Sequence, residues 1–305
     1  MTQLQKKAIK IAVVGDVHDR WEPEDERALK YLGVDLVLFV GDFGNEAVEL
    51  VRAIAALDLP KAAILGNHDA WYTATNWGRK QRPYDANLED RVEQQIELLG
   101  EFHVGYGKRE FPELGLSVVG SRPFTWGGPE WNLEEFYRDR FGINSFAESS
   151  DRIVEAARSA ASNTIIFLGH NGPTGLGEEP EAPCGKDWNP LGGDYGDPDF
   201  AKAITRTRSL GKTIPLVAFG HMHHKLRHTK SRLRTSLEIG VGNTVYLNAA
   251  NAPRIVEVEG QKLRNFSMVS LIGGAVVEAS LVWVGPDLSV ASQEILYRKA
   301  VESVV

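Results

Sequence analysis

Five times along this chain an apolar run ends in a glycine followed at once by Asp, Asn or His. IAVVGDVH brings Asp16 and His18, VDLVLFVGD brings Asp42, and AAILGNHD brings Asn67, His68 and Asp69. NTIIFLGH then brings His170, and TIPLVAFGHMH brings His221 and His223. Short apolar runs bounded by glycine read as buried strands. In an open α/β sheet, residues just past the carboxyl ends of strands stand where ligands bind. A single Asp-x-His pair reads equally well as loop polarity satisfied by backbone groups. Five such ends in one chain argue for an enzyme's site.

Between these runs the periodicity alternates. Helices are predicted over 23–32, 46–57, 87–99 with Asn87 as N-cap, 149–160 and 199–210, and strands over 35–40, 61–65, 116–119, 164–168 and 214–219. A further strand is expected over 102–106, turning at Gly107. Strand and helix in alternation give right-handed crossovers and a parallel sheet. After Thr244 the segments VYLNA, RIVEVEG, FSMVSLI and ASLVWVG follow without helices. They predict a second, largely antiparallel sheet packed on the first, closed by a helix over 289–301. No internal repeat or hinge-like linker interrupts the chain, so residues 1–305 are expected to form one domain. Aromatic-rich insertions fall near 70–86 and 121–147, and a loop over 171–198 holds seven glycines and five prolines. Loops of that length are usually functional, and this one, starting beside His170, is expected to cover the site.

Composition narrows the function classes. The net charge of −7 argues against a general nucleic-acid binder, which needs a basic surface. The basic cluster from Lys225 to Arg234 is local, an outward loop or a partner contact. One cysteine, Cys184, leaves no intrachain disulfide, which places the chain in the cytoplasm by default. No run reaches the roughly 18 apolar residues of a membrane span. The sequence assigns no oligomeric partner.

Asp, Asn and His supply oxygen and nitrogen ligands suited to Mn, Fe, Zn or Co. Asp16, His18, Asp42, Asn67, His170, His221 and His223 exceed what one four-coordinate ion needs, and fit two divalent ions sharing a carboxylate.

With its blocks GDVH, GD, GNHD, GH and GHMH in that order from Gly15 to His223, the chain resembles the calcineurin-like metallophosphoesterase superfamily. The resemblance implies a four-layer α/β/β/α sandwich, two mixed sheets flanked by helices. It implies a phosphoric ester hydrolase with two divalent transition ions, manganese first and iron, zinc or cobalt as alternatives. Asp16, His18 and His223 would hold one ion and Asn67, His170 and His221 the other, with Asp42 bridging. His68 would protonate the leaving group, and Asp69 would fix its tautomer. The substrate would be a small phosphorylated molecule, through a phosphomonoesterase or phosphodiesterase reaction. The alternatives are a sugar-nucleotide or lipid-linked pyrophosphate, or a non-catalytic scaffold of the same fold.

Three more residues are candidates for substrate. Arg20 follows the first block where many relatives have glycine after the histidine, and either reaches phosphate or lies on the surface. Arg122 follows the strand LSVVGS, and either binds phosphate or pairs with an acid. His224, next to His223, is the third. Trp71, Tyr72, Trp77, Trp126 and Trp131 either stack a base or pack their insertions onto the body.

Overall fold

The structure is a computed structural model describing residues 8–300. Strand β1 (Ile9–Val14) leads through α1 (Pro23–Tyr31) to β2 (Leu36–Phe39), and α2 (Val48–Ala55) leads on to β3 (Lys61–Ala63). The three strands pair in parallel, as the alternation requires. Both faces of each strand are covered, so Ile11 and Val13 enter one core cluster while Ala12 and Val14 enter another. That two-sided burial is why these strands read as unbroken apolar runs.

The insertion near 70–86 forms two short helices, α3 (Trp71–Ala74) and α4 (Asn76–Arg79), before α5 (Arg91–Leu99). Helix α5 starts later than expected because Asp90, not Asn87, is its N-cap: the Asp90 side chain accepts from Glu93 N at 2.9 Å. Asn87 instead donates twice to Asp85 in a local turn. The strand expected over 102–106 is also displaced. Gly100–Phe102 is a 3₁₀ turn and His103 makes only an isolated bridge to Ala63, while β4 (Lys108–Phe111) pairs antiparallel with β5 (Leu116–Gly120) after Gly107.

The second insertion carries α6 (Glu134–Phe141), followed by α7 (Phe146–Arg158) and β6 (Thr164–Leu168). Helix α8 (Pro198–Ser209) ends the long loop and precedes β7 (Thr213–Phe219). Next come β8 (Leu237–Ile239), β9 (Val245–Asn248), β10 (Ile255–Val258), β11 (Gln261–Ile272), β12 (Ala275–Val284) and β13 (Val290–Arg298).

Two mixed sheets result. One runs β13-β12-β11-β1-β2-β3 with β10 on β11, and the other β4-β5-β6-β7-β9-β8. Between them lies a core that includes Ile11, Val13, Leu38, Val118, Ile166 and Leu216. Outside, α1, α2 and α5 cover the first sheet, and α7 and α8 the second. This is the expected four-layer sandwich. The strands after Thr244 correct the finer expectation: β9 joins the second sheet parallel to β7, whereas β11 pairs antiparallel with β1 and extends the first. The closing segment is strand β13 on the β12 edge, not a helix, so a free sheet edge overrides helical propensity. Among the described residues, no helix is long and apolar enough to cross a membrane.

Candidate metal centre

All five blocks reach one end of the sandwich. The first sheet delivers Asp16 and His18 after β1, Asp42 after β2, and Asn67 and His68 after β3. The second delivers His170 after β6, and His221 and His223 after β7. The glycines allow the two sets to interlock. A Cβ on Gly66 would lie 2.3 Å from Asp42 Oδ1 and 2.5 Å from His170 Cε1, and one on Gly220 would lie 2.3 Å from Asp16 Oδ1. Asp42 and His221 hold positive φ, 50° and 68°. That conformation costs non-glycine residues of order 1 kcal/mol or more and persists where packing imposes it.

The side-chain atoms converge in three overlapping groups: Asp16, His18 and His223; His18, Asp42 and His68; and Asp42, His170 and His221. Within each group the potential ligand atoms lie within 4.8 Å of one another. His18 Nε2 is 3.1 Å from His223 Nε2, which is in turn 3.1 Å from Asp16 Oδ2. On the other side, His170 Nε2 is 2.9 Å from Asn67 Oδ1 and 3.2 Å from His221 Nδ1. Asp42 stands between the sides, Oδ2 3.9 Å from His18 Nε2 and Oδ1 3.3 Å from His170 Nε2.

This donor set fits divalent cations. His170 Nδ1 donates to the Val40 carbonyl at 2.8 Å, which leaves Nε2 as a bare lone pair aimed at the lone pairs of Asn67 Oδ1. Two buried acceptors facing each other at that distance call for a positive charge between them. Asp16 Oδ2 is likewise buried and lacks a hydrogen bond of acceptable geometry. Burial, with His170 alongside, pushes the His221 imidazole down to about 3, which keeps it neutral as a ligand must be. Burial alone would raise the Asp16 carboxyl, but His223 beside it, above all, outweighs burial and holds Asp16 ionised.

His68 borders this cluster, its ring centroid 5.0 Å from that of His18. The partner of its Nδ1 is Asn45 Oδ1 at 2.6 Å, and its ring stacks on Trp71 at 4.6 Å. Asp69 is therefore not what fixes the His68 tautomer. Its carboxylate is fully buried and accepts from Phe43 N at 2.9 Å and Gly66 N at 2.7 Å, tying the loop after β2 to the loop after β3. Asn45 was invisible in the sequence because the contact depends on how these two loops fold together.

The three substrate candidates stand away from the cleft. Arg122 is 2% exposed, and its guanidinium pairs with Asp197 at 2.6 Å and Asp199 at 3.0 Å, which corrects its reading as a phosphate ligand. Arg20 donates to the Ile255 carbonyl at 3.1 Å, and His224 is buried with Nε2 against the Asn248 carbonyl at 3.0 Å. None of the three lines the cavity that opens over the cluster.

That cavity, about 440 Å³, is lined instead by Trp126 and Asn132 of the second insertion, Trp188 and Tyr195 of the long loop, and Lys225 and Arg227 beyond β7. The long loop forms a wall of this cavity, held by polar contacts. Buried Arg234 binds the carbonyls of Pro180, Ala182, Gly185 and His223 and pairs with Asp187, and Asn248 donates to the Pro183 carbonyl. Cys184 in this loop is fully buried. The aromatic insertions divide: Trp126 lines the cavity and Trp71 backs His68, whereas Trp131 packs on Tyr137 and Phe146.

Among solved structures, the chain is similar to the TT1561 protein of Thermus thermophilus (13% identity, covering 95% of this chain and 100% of that chain, TM-score 0.46). It is also similar to a dimetal phosphatase from Danio rerio (10% identity, 95% of this chain and 99% of that one, TM-score 0.44). A metallophosphoesterase from Sphaerobacter thermophilus is a more distant likeness (12% identity, 96% of this chain and 90% of that one, TM-score 0.33). The chain matches no curated protein sequence. The calcineurin-like phosphoesterase model matches residues 9–225, a span that takes in all five glycine-led blocks, and the chain belongs to that family, whose reaction is metal-dependent phosphoester hydrolysis.

Proposed function

We propose that this chain hydrolyses the phosphoester of a small phosphorylated molecule with two divalent transition ions, manganese first among them. The observation that carries this reading is Asp42, a carboxylate with one oxygen toward each of two groups of lone pairs. Asp16, His18 and His223 would hold one ion, and Asn67, His170 and His221 the other. Bound there, the ions would supply a water acidic enough to attack phosphorus and positive charge for the phosphoryl oxygens. The chain's own groups do the rest. Asn45 and Trp71 fix the His68 ring so that Nε2 is the atom free to carry a proton to the leaving oxygen. Trp126 and Asn132 narrow the cavity around the reacting group. With a single cysteine, the chain is proposed to work in the reducing cytoplasm.

The test is to strip the protein, reload it with Mn, Co, Zn or Fe, and measure bound metal together with turnover of nitrophenyl phosphate and bis-nitrophenyl phosphate. Close to two ions per chain and metal-dependent release of nitrophenolate are expected. A metal content near zero after loading, or two ions with no turnover of either ester, would overturn the reading.

A further inference from the structure

The cavity has a second wall that the reaction at phosphorus does not use. Trp188 and Tyr195 meet edge to face at 4.9 Å, and the Arg227 guanidinium lies 5.4 Å from the Trp188 ring. Lys186, only 9% exposed, places its ammonium 5.5 Å from the Tyr195 ring and 5.9 Å from that of Trp188. Lys225 lines the cavity beside them. Of the carboxylates that line the cavity, Asp42 belongs to the candidate metal centre and Asp187 is taken up by Arg234 and the Arg227 backbone N–H, while Glu181 nearby pairs with His228 and Arg232. Among the described residues, Lys225 and Arg227 thus line one cleft without carboxylate partners, with the buried Lys186 ammonium behind the aromatic pair, in a chain whose net charge is −7.

We infer that this wall binds the part of the substrate beyond the scissile phosphorus, and that this part is a nucleotide, so that the substrate class is a nucleoside diphosphate or its ester. The inference rests on the phosphoesterase reading above. Aromatic faces stack any base without needing its hydrogen-bonding pattern, and Trp188 and Tyr195, both half-buried, line the cavity. An arginine offers a planar fork to phosphate oxygens and a lysine a point charge, which together suit a second phosphate attached to the first. The cavity volume of about 440 Å³ lies within the range of small-molecule sites, about 300–1,000 Å³. A lipid tail would meet charged side chains along this wall, and a nucleic-acid strand would need the basic surface to continue past the cavity.

Isothermal titration of the Mn-loaded protein with α,β-methylene-ADP, and with methylenediphosphonate as the same charge without a base, tests this. The nucleotide should bind at least about tenfold tighter than the bare diphosphonate. Trp188→Ala and Arg227→Ala should each weaken nucleotide binding by about tenfold, and Trp188→Phe should recover most of that loss. Lys225→Ala, at an exposed side chain, should cost several-fold and serves where another variant fails to fold. Equal affinity of the wild type for the two ligands overturns the subsite, as do variants that bind the nucleotide as tightly as the wild type. Metal content and nitrophenyl phosphate turnover of the same wild-type preparation keep the two readings apart. Two ions and turnover without a nucleotide preference overturn the subsite alone. Loss of both ions and turnover overturns the phosphoesterase reading, and the subsite with it.

Discussion

Asn45 Oδ1 lies 2.6 Å from His68 Nδ1, and the amide oxygen can only accept, so the proton of that contact belongs to the imidazole. In the proposed reaction, Asn45 would act through His68 as a positioning residue. Asn45→Ala should keep both ions and the melting temperature, and should slow hydrolysis of esters with poor leaving groups by roughly ten- to a hundredfold. That is less than the about 10²–10⁴ expected for removing the imidazole itself in His68→Ala. Esters of nitrophenol, which leave without a proton, should be affected least, and Asn45→Asp should restore part of the rate. An equal loss for both kinds of ester would mean that Asn45 acts on something other than proton delivery.

Asp42 faces both groups of ligands, so its substitution should be felt by both ions. Asp42→Asn is expected to lower affinity at the two positions together, read by elemental analysis after dialysis against graded chelator. A variant that retains one full equivalent would show that Asp42 serves only one position.

Arg122, paired with Asp197 and Asp199 in a fully buried cluster that Ser149 and Thr125 also join, should matter for stability rather than for substrate. Removing one partner of a buried ion pair strands the others, at a cost of about 3–5 kcal/mol. Arg122→Ala should therefore shift urea unfolding by that order, while KM measured well below the melting temperature stays as in the wild type. A raised KM with unchanged stability would return Arg122 to substrate binding.

Burial, reinforced by the charge of Asp199 and only partly offset by Arg122, lifts the Asp197 carboxyl from 3.8 to about 6. The folded chain then holds a proton that the unfolded chain releases. Stability from this group is present below about pH 4 and is lost as pH rises toward 6. Asp197→Asn removes the titration, so the melting temperature of the variant minus that of the wild type should become more positive between about pH 4.5 and 6.5. A difference that is flat across this window would contradict the shift.

The five glycine-led blocks were legible because each is local: a glycine and a polar residue at the end of an apolar run carry their geometry with them. The framework strands were legible for the same reason, since burial on both faces leaves an unmistakable apolar run at β1, β2, β6 and β7. What escaped depends on contacts distant in sequence. The sequence leaves Arg122 open between phosphate and an acid, and only Asp197 and Asp199, more than 70 residues away, decide for the acids. Lys225 and Arg227 read as part of a local basic cluster, an outward loop or a partner contact, whereas in the fold, with Asp187 of the long loop accepting from the Arg227 backbone N–H, both line the cavity. The last strand was misread because it is exposed from Val290 to Ile295 and meets the core only at Leu296 and Tyr297, so that pairing with β12 is what makes it a strand.

Each proposed ion position draws its ligands from both sheets: Asp16 and His18 of the first with His223 of the second, and Asn67 of the first with His170 and His221 of the second. An ion at either position would therefore be a cross-link through the middle of the sandwich as well as a reagent. Without it, the two sheets would be pressed together at this end against opposed lone pairs. A ligand that binds only the folded chain stabilises it by about 4 kcal/mol at a thousandfold excess over its Kd. Starvation for metal would then remove the protein itself, through unfolding and proteolysis, along with its activity. Free metal would thereby set how much of the chain survives in the cell, as well as how fast each surviving copy turns over.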